Sequence, residues 1–384
     1  MTAGVTAPEG FRAAGVAAGL KDEGRDLALV VNDGPLRSAA GVFTANRVKA
    51  APVLWSEQVL AGGQVAAVVL NAKYANACTG PAGFQVTHAT AETVAEALGV
   101  GAAEIAVCST GKIGEPPPLD LLTGGVAAAV AALSDGGGAD AADAIRTTDT
   151  VAKQAVVTAG GWSVGGMAKG AGMLAPALAT MLCVVTTDAV ADPAALDHAL
   201  RSATALTFDR IDSDGCMSTN DTVLLLASGA SGVTPSQSEL DAAVHQVCAD
   251  LARQLVADAE GASKDIRIEV KGAASDRDAL EVARAVSRSN LLKCALHGED
   301  PNWGRILAAV GTTDAEFDAT TIDAAINGVW VCHDSAPGED PAKVNMSGRE
   351  IEIAIDLKAG DRSTTLWTND LTAAYVHENS AYST

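Results

Sequence analysis

The sequence predicts a layered α/β protein, and three of its features carry that prediction. Short apolar runs rich in Val, Ile and Leu alternate with Ala-, Leu- and Glu-rich stretches along the chain. With 384 residues, 48% of them hydrophobic and 19% charged, the chain can bury a sizeable core and lacks the composition of a disordered protein. Aromatics make up only 3%, so Ala, Val and Leu must fill that core, which favours close backbone approach.

In chain order, residues 65–70 and 105–108 are expected as compact strands, and 90–98 and 121–133 as helices. Residues 183–187 and 223–227 follow as buried strands, with 194–206 and 239–260 as helices. Residues 267–270 and 350–357 alternate as strands do. Residues 134–142 (SDGGGADAA) read as an exposed loop.

Acidic residues outnumber basic ones 47 to 26, a formal charge of −21. Such a surface repels phosphate backbones and anionic headgroups, so no nucleic-acid or membrane partner is expected, and an anionic substrate needs a local cationic pocket. The seven cysteines are scattered without metal-binding spacing, which argues against a disulfide framework and for a reducing compartment. Residues 1–20 lack the pattern of a signal peptide, and the Ala-rich residues 124–133 are too short and too weakly apolar to span a membrane. A cytoplasmic location is the expectation.

Residues 160–172 (GGWSVGGMAKGAG) hold six glycines and run into Met173-Leu174-Ala175-Pro176. Three readings compete. Gly170 to Ala175 fits the degenerate G-x-G-x-x-A dinucleotide pattern, with Asp188 where a ribose-binding acid belongs, but too little chain precedes the next strand for a crossover helix. The glycines can instead form turns around a core hydroxyl at Thr180. Third, a Thr following the small Ala179 in a strained bend can attack its own upstream carbonyl. Cleavage would make Thr180 an N-terminus whose amine serves as base for its own hydroxyl. No Ser-His-Asp arrangement competes for the role of nucleophile.

The segment from Lys169 to Pro176, with Ala179-Thr180-Met181-Leu182 and Thr186-Thr187-Asp188-Ala189, resembles the signature of the ornithine acetyltransferase (glutamate N-acetyltransferase, ArgJ) family. So do Asn76 to Gly80, Ser109-Thr110-Gly111, Thr147 to Thr150, Ser218 to Thr222, Glu260 to Lys264 and His297 to Arg305. The resemblance runs from Gly10 to the last residue.

That resemblance implies an αββα layered fold of the DmpA/ArgJ kind and self-cleavage between Ala179 and Thr180. The products would be an α chain of residues 1–179 and a β chain of residues 180–384, assembled as α2β2. Thr180 would carry acetyl from N2-acetylornithine to glutamate in a ping-pong cycle, releasing ornithine and N-acetylglutamate. No cofactor is implied, although acetyl-CoA is a possible further donor. Thr110 and Gly111 match the oxyanion-stabilising pair. Thr150, Lys169, Thr180, Glu260, Asn379 and Thr384 match substrate-binding positions, with the alignment of Thr150 against Thr148 left open. His297, Glu299 and Asp300 read as a loop, with no metal implied. Lys73 and Tyr74 stand where relatives carry small residues. The alternative is a paralogous N-terminal-threonine acyltransferase or amidase of secondary metabolism.

Overall fold

The computed structural model describes residues 4–175 and 181–381. The chain begins with strands β1 (Phe11–Val16), β2 (Leu27–Asn32) and β3 (Ser38–Phe43), then helix α1 (Ala51–Leu60) and strand β4 (Ala67–Asn71). Helix α2 (Gly80–Leu98), strand β5 (Ile105–Ser109) and helices α3 (Leu119–Ala132) and α4 (Gly138–Ala144) follow. Next come β6 (Lys153–Ala159), β7 (Trp162–Lys169), β8 (Leu182–Thr187), α5 (Pro193–Leu206), β9 (Thr222–Ala227) and α6 (Gln237–Ala257). The last third holds β10 (Asp265–Ala273), α7 (Asp276–Ser287), α8 (Asn290–His297) and α9 (Trp303–Val310). It closes with β11 (Asp323–Ile326), β12 (Val329–His333), β13 (Ala336–Pro337), β14 (Glu350–Asp356), β15 (Arg362–Asn369) and α10 (Ala373–Ala381).

Two sheets stack between two helical layers, the αββα arrangement expected. The four-stranded sheet has the order β1-β2-β4-β5 and the five-stranded sheet β3-β9-β8-β7-β6. Leu27, Leu29 and Val69 of the first sheet pack outward against Val94 of α2 and Leu122 and Val126 of α3. Its inner face puts Val30, Val68 and Leu70 against Met167, Val184, Leu224 and Leu226 of the second sheet. The far face of that sheet meets Leu196 and Leu200 of α5 and Val244, Val247 and Leu251 of α6. Strands covered on both faces need apolar residues at every position, and β2, β4, β8 and β9 are buried throughout. A third sheet, β13-β12-β11-β14-β10-β15, carries α7, α8 and α9 on one face. Its strands β10 and β14 alternate buried and more exposed residues, as a one-sided sheet requires.

The helices start where side chains satisfy their free N–H groups. Asp192 caps α5, and Ser236 with Glu239 forms a capping box on α6. α2 begins ten residues before the expected 90–98, because Gly80-Pro81 opens it and Pro is tolerated in a first helical turn. Residues 134–142 depart from the exposed loop expected. Much of that stretch is α4, with Ala141, Ala142 and Ala144 fully buried. Its glycines permit contact: a Cβ at Gly137 would fall 1.9 Å from the Ala13 carbonyl oxygen, and one at Gly15 would fall 1.9 Å from that of Asp140.

The five-stranded sheet is assembled from both sides of the undescribed residues 176–180. β3, β6 and β7 precede them, and β8 and β9 follow. β7 and β8 pair antiparallel, from Val164 opposite Thr187 to Lys169 opposite Leu182. An antiparallel step leaves no βαβ crossover, so the dinucleotide reading of Gly170 to Ala175 fails on topology.

Candidate active site

Where β5, β7 and the loop before β9 end, a polar cavity opens. Among its lining residues are Thr110, Gly111, Thr148, Lys169, Glu260 and Asn379. The cavity volume is about 90 Å³, below the roughly 300–1,000 Å³ usual for pockets that hold drug-sized ligands. It suits a small polar group rather than a dinucleotide.

Thr110 follows β5, its N–H donating to the Asn71 carbonyl at 3.0 Å. Gly111 takes φ +124°, and a Cβ there would lie 2.3 Å from the Lys73 carbonyl carbon. Only glycine fits. Lys73, itself at φ +82°, backs Gly111 with its main chain, and its carbonyl accepts from Lys112 N–H at 2.9 Å.

Lys169, at the end of β7, is 2% exposed, and its ammonium donates to the Thr110 hydroxyl at 3.1 Å. That bond occupies a lone pair of Thr110 and leaves its hydrogen to donate elsewhere. Burial pulls the Lys169 pKa down, while Asp149, Glu260 and Asp221 resist. Asp149 accepts from the Gly170 N–H at 2.6 Å and from Lys153 at 2.6 Å. Burial alone would raise the Asp149 pKa, but the Lys169 and Lys153 charges and the Gly170 N–H bring it to about 2. Lys153 is fully buried and also reaches Asp258 at 2.6 Å.

Glu260 sits in the turn after α6, three residues beyond the helix end, with its N–H on the Ala171 carbonyl at 3.0 Å. Its carboxylate accepts from the Thr148 hydroxyl at 2.6 Å and from the Asn379 amide at 2.9 Å. Gly172 makes room, since a Cβ there would be 2.3 Å from a Glu260 carboxylate oxygen. Asn379 lies on α10, so the last helix closes one side of the cavity.

Thr110, Gly111, Lys169, Glu260 and Asn379 therefore converge. Thr150 does not line the cavity. It is exposed, and both its N–H and its hydroxyl bond Asp258 instead. Thr148, two residues earlier, takes the position on Glu260; the sequence left the two open because the stretch from Thr150 to Lys169 is a few residues shorter than in many relatives. Ala179, Thr180 and Thr384 lie outside the described residues.

Four lining residues with polar side chains had no role assigned from the sequence: Thr147, Ser218, Thr219 and Asn220. Asn220 ties the cavity together, donating to the carbonyls of Ala75 at 2.6 Å and Ser109 at 2.8 Å. Asp221 is fully buried and accepts from the Met181 N–H at 3.1 Å. Its other oxygen has no partner among the described residues, and burial pushes its pKa well up. The signal for all of them was the pair of motifs at residues 147–150 and 218–222.

Among the described residues no cluster of His, Cys, Asp or Glu is arranged to hold a metal. His297 meets Asp370 at 2.9 Å and Glu299 meets Lys264 at 2.8 Å. Nor is any helix among them long and apolar enough to cross a membrane.

An αββα sandwich with a buried lysine and hydroxyl and a half-buried carboxylate gathered at one cavity is an enzyme scaffold for a small charged substrate. The chain belongs to the ArgJ family, which it matches over residues 12–384. It is 66% identical over 380 residues to the arginine biosynthesis bifunctional protein ArgJ of Streptomyces coelicolor, covering 99% of each chain. The ArgJ of Mycobacterium leprae is 59% identical over 389 residues, covering 99% of this chain and 96% of its own. A solved chain of the ArgJ protein of Bacillus halodurans is similar at a TM-score of 0.50 and 38% identity. That match covers 52% of this chain and 98% of the solved one.

Proposed function

We propose that this protein is a glutamate N-acetyltransferase of arginine biosynthesis that acts through Thr180 after cutting its own chain between Ala179 and Thr180. The observation that carries the reading is the convergence of Thr110, Gly111, Lys169, Glu260 and Asn379 on one cavity. Membership of the ArgJ family supports the reaction class. The Bacillus halodurans chain, matched almost completely yet spanning about half of this one, supports a mature form of two polypeptides.

In this cycle the Thr180 hydroxyl adds to the acetyl carbonyl of N2-acetylornithine while its own α-amine takes the proton. The Thr110 hydroxyl, free to donate because Lys169 occupies its lone pair, and the Gly111 N–H stabilise the oxyanion. Ornithine leaves with its amine protonated. The amine of glutamate then takes the acetyl group from Thr180. Lys169 pairs with the α-carboxylate common to both substrates, and Glu260 with the side-chain ammonium of ornithine. Thr148 and Asn379 hold the Glu260 carboxylate in place, and Thr384 belongs to the same group. Acetyl-CoA serves as a second donor, in keeping with the bifunctional name of the relatives. The mature enzyme is an α2β2 assembly in the cytoplasm.

Intact mass under denaturing conditions tests the first step. Two chains meeting at Ala179/Thr180 in the parent and one chain in Thr180→Ala are expected. Acetyl transfer from N2-acetylornithine to glutamate by the parent alone completes the test. An unbroken parent chain after full incubation would refute the mechanism.

A further inference from the structure

A second cavity, of about 270 Å³, lies on the other side of Glu260 and shares only that residue with the first. It is bounded by the end of α7, the start of α8, the end of β15 and the start of α10, and of its charged lining only Glu260 has a part in acyl transfer. Lys293 on α8 is 5% exposed. Its ammonium donates to the Ser213 carbonyl and, at 3.3 Å, to the Thr368 hydroxyl, and no carboxylate among the described residues hydrogen-bonds it. One of its three hydrogens is thus unspent, and burial pulls its pKa down although Asp214, Asp212 and Asp370 resist. Arg288 at the end of α7 uses Nε on Asp212 at 2.8 Å, leaving both terminal nitrogens without partners among the described residues. Facing these cations are Asp214, Glu260 and Asp370.

The two cations can hold one carboxylate between them. Asp212 is spent on Arg288, and Asp370 on Ser263, Lys264 and His297, which leaves Asp214 and Glu260 to face an ammonium group. A molecule with one carboxylate and two ammoniums matches this arrangement. We propose that this cavity binds a free basic α-amino acid, its carboxylate between Lys293 and Arg288 and its ammonium groups toward Asp214 and Glu260. The site is separate from the acyl-transfer cavity but mechanically joined to it. Asp214 accepts from the N–H of Met173, which lines the first cavity, at 2.7 Å. Tyr375 lines the second cavity from α10, the helix that carries Asn379 into the first.

Calorimetric titration of the full protein with L-ornithine tests this, using the parent, Lys293→Met and Arg288→Gln. Two equivalents per 384-residue chain are expected for the parent and one for Lys293→Met. For Arg288→Gln, one of the two should bind at least 10-fold more weakly. If ornithine does not belong in the acyl-transfer cavity, the parent takes one equivalent and Lys293→Met none, which leaves this site standing and removes the other reading. Should Lys293→Met fail to fold, Arg288→Gln at its half-exposed side chain decides. Parent-like stoichiometry and affinity in the variants that fold would overturn the proposal.

Discussion

Lys169 and Thr110 are joined by a 3.1 Å hydrogen bond, with the buried ammonium donating to the buried hydroxyl. This bond leaves the hydroxyl hydrogen free to donate and sets a cation beside it. Removing only the hydroxyl should leave the fold and self-cleaved mass pattern measurable while slowing turnover. Thr110→Ala is expected to lower kcat by about 100- to 1,000-fold, the effect typical of losing one oxyanion donor. Thr110→Ser should recover most of it. Steady-state acetyl transfer to glutamate checks both.

Burial lowers the Lys169 pKa below the ordinary lysine range. As pH rises, this ammonium is lost sooner than that of a free lysine, and the proposed carboxylate binding would go with it. The KM for glutamate should therefore climb on the alkaline side. Lys169→Arg keeps its charge at high pH; if it retains activity, its alkaline limb should lie at higher pH. A pH profile of kcat/KM for both proteins tests the assignment.

The Asp149 carboxyl lies at about 2 in the folded protein, against an ordinary 3.8. Between those values the unfolded chain binds more protons, so stability falls with falling pH. The contribution, about 2 kcal/mol, is complete above about pH 4 and lost as pH drops through about 2. Asp149→Asn should flatten this acid window in urea unfolding. It should also cost about 3–5 kcal/mol at neutral pH, because Lys153 and Lys169 stay buried with one partner fewer.

Thr148 and Thr150 differ by two positions and should differ in kind. Thr148→Val removes the hydroxyl that donates to Glu260 and is expected to raise the KM for N2-acetylornithine about 10-fold or more. Thr150→Val loses a surface bond to Asp258 and should leave KM within about twofold, with any effect confined to stability. Equal effects on KM would contradict the geometry.

Fold class was legible because the strands bury complete apolar runs. β8 and β9 stand out in the sequence for that reason, whereas the half-covered β11 and β12 lack such a run. The α4 region was misread because glycine marks flexibility and tight contact with the same letter; only the neighbouring Ala13 backbone distinguishes them. Of the candidate site, Lys169 and Glu260 were accessible through motifs. Their setting was not, since Asp149, Lys153 and Asp258 form one buried ion network across more than a hundred residues. Periodicity carries no trace of a contact between such distant positions.

A break after residue 179 would pass between β7 and β8, which are neighbours within one sheet. The two polypeptides would then share six directly opposed residue pairs there, and six more where β3 meets β9. They could not part without dismantling the centre of the molecule, so each fragment would stay with its sibling from the same translation product. Differently labelled preparations should never scramble. Folding of the uncut chain is unimolecular, but renaturing the mature pair requires two molecules to meet, with unpaired strand edges exposed meanwhile. Maturation would thus make assembly effectively irreversible, and the working lifetime of the enzyme would be set by how rarely it unfolds once.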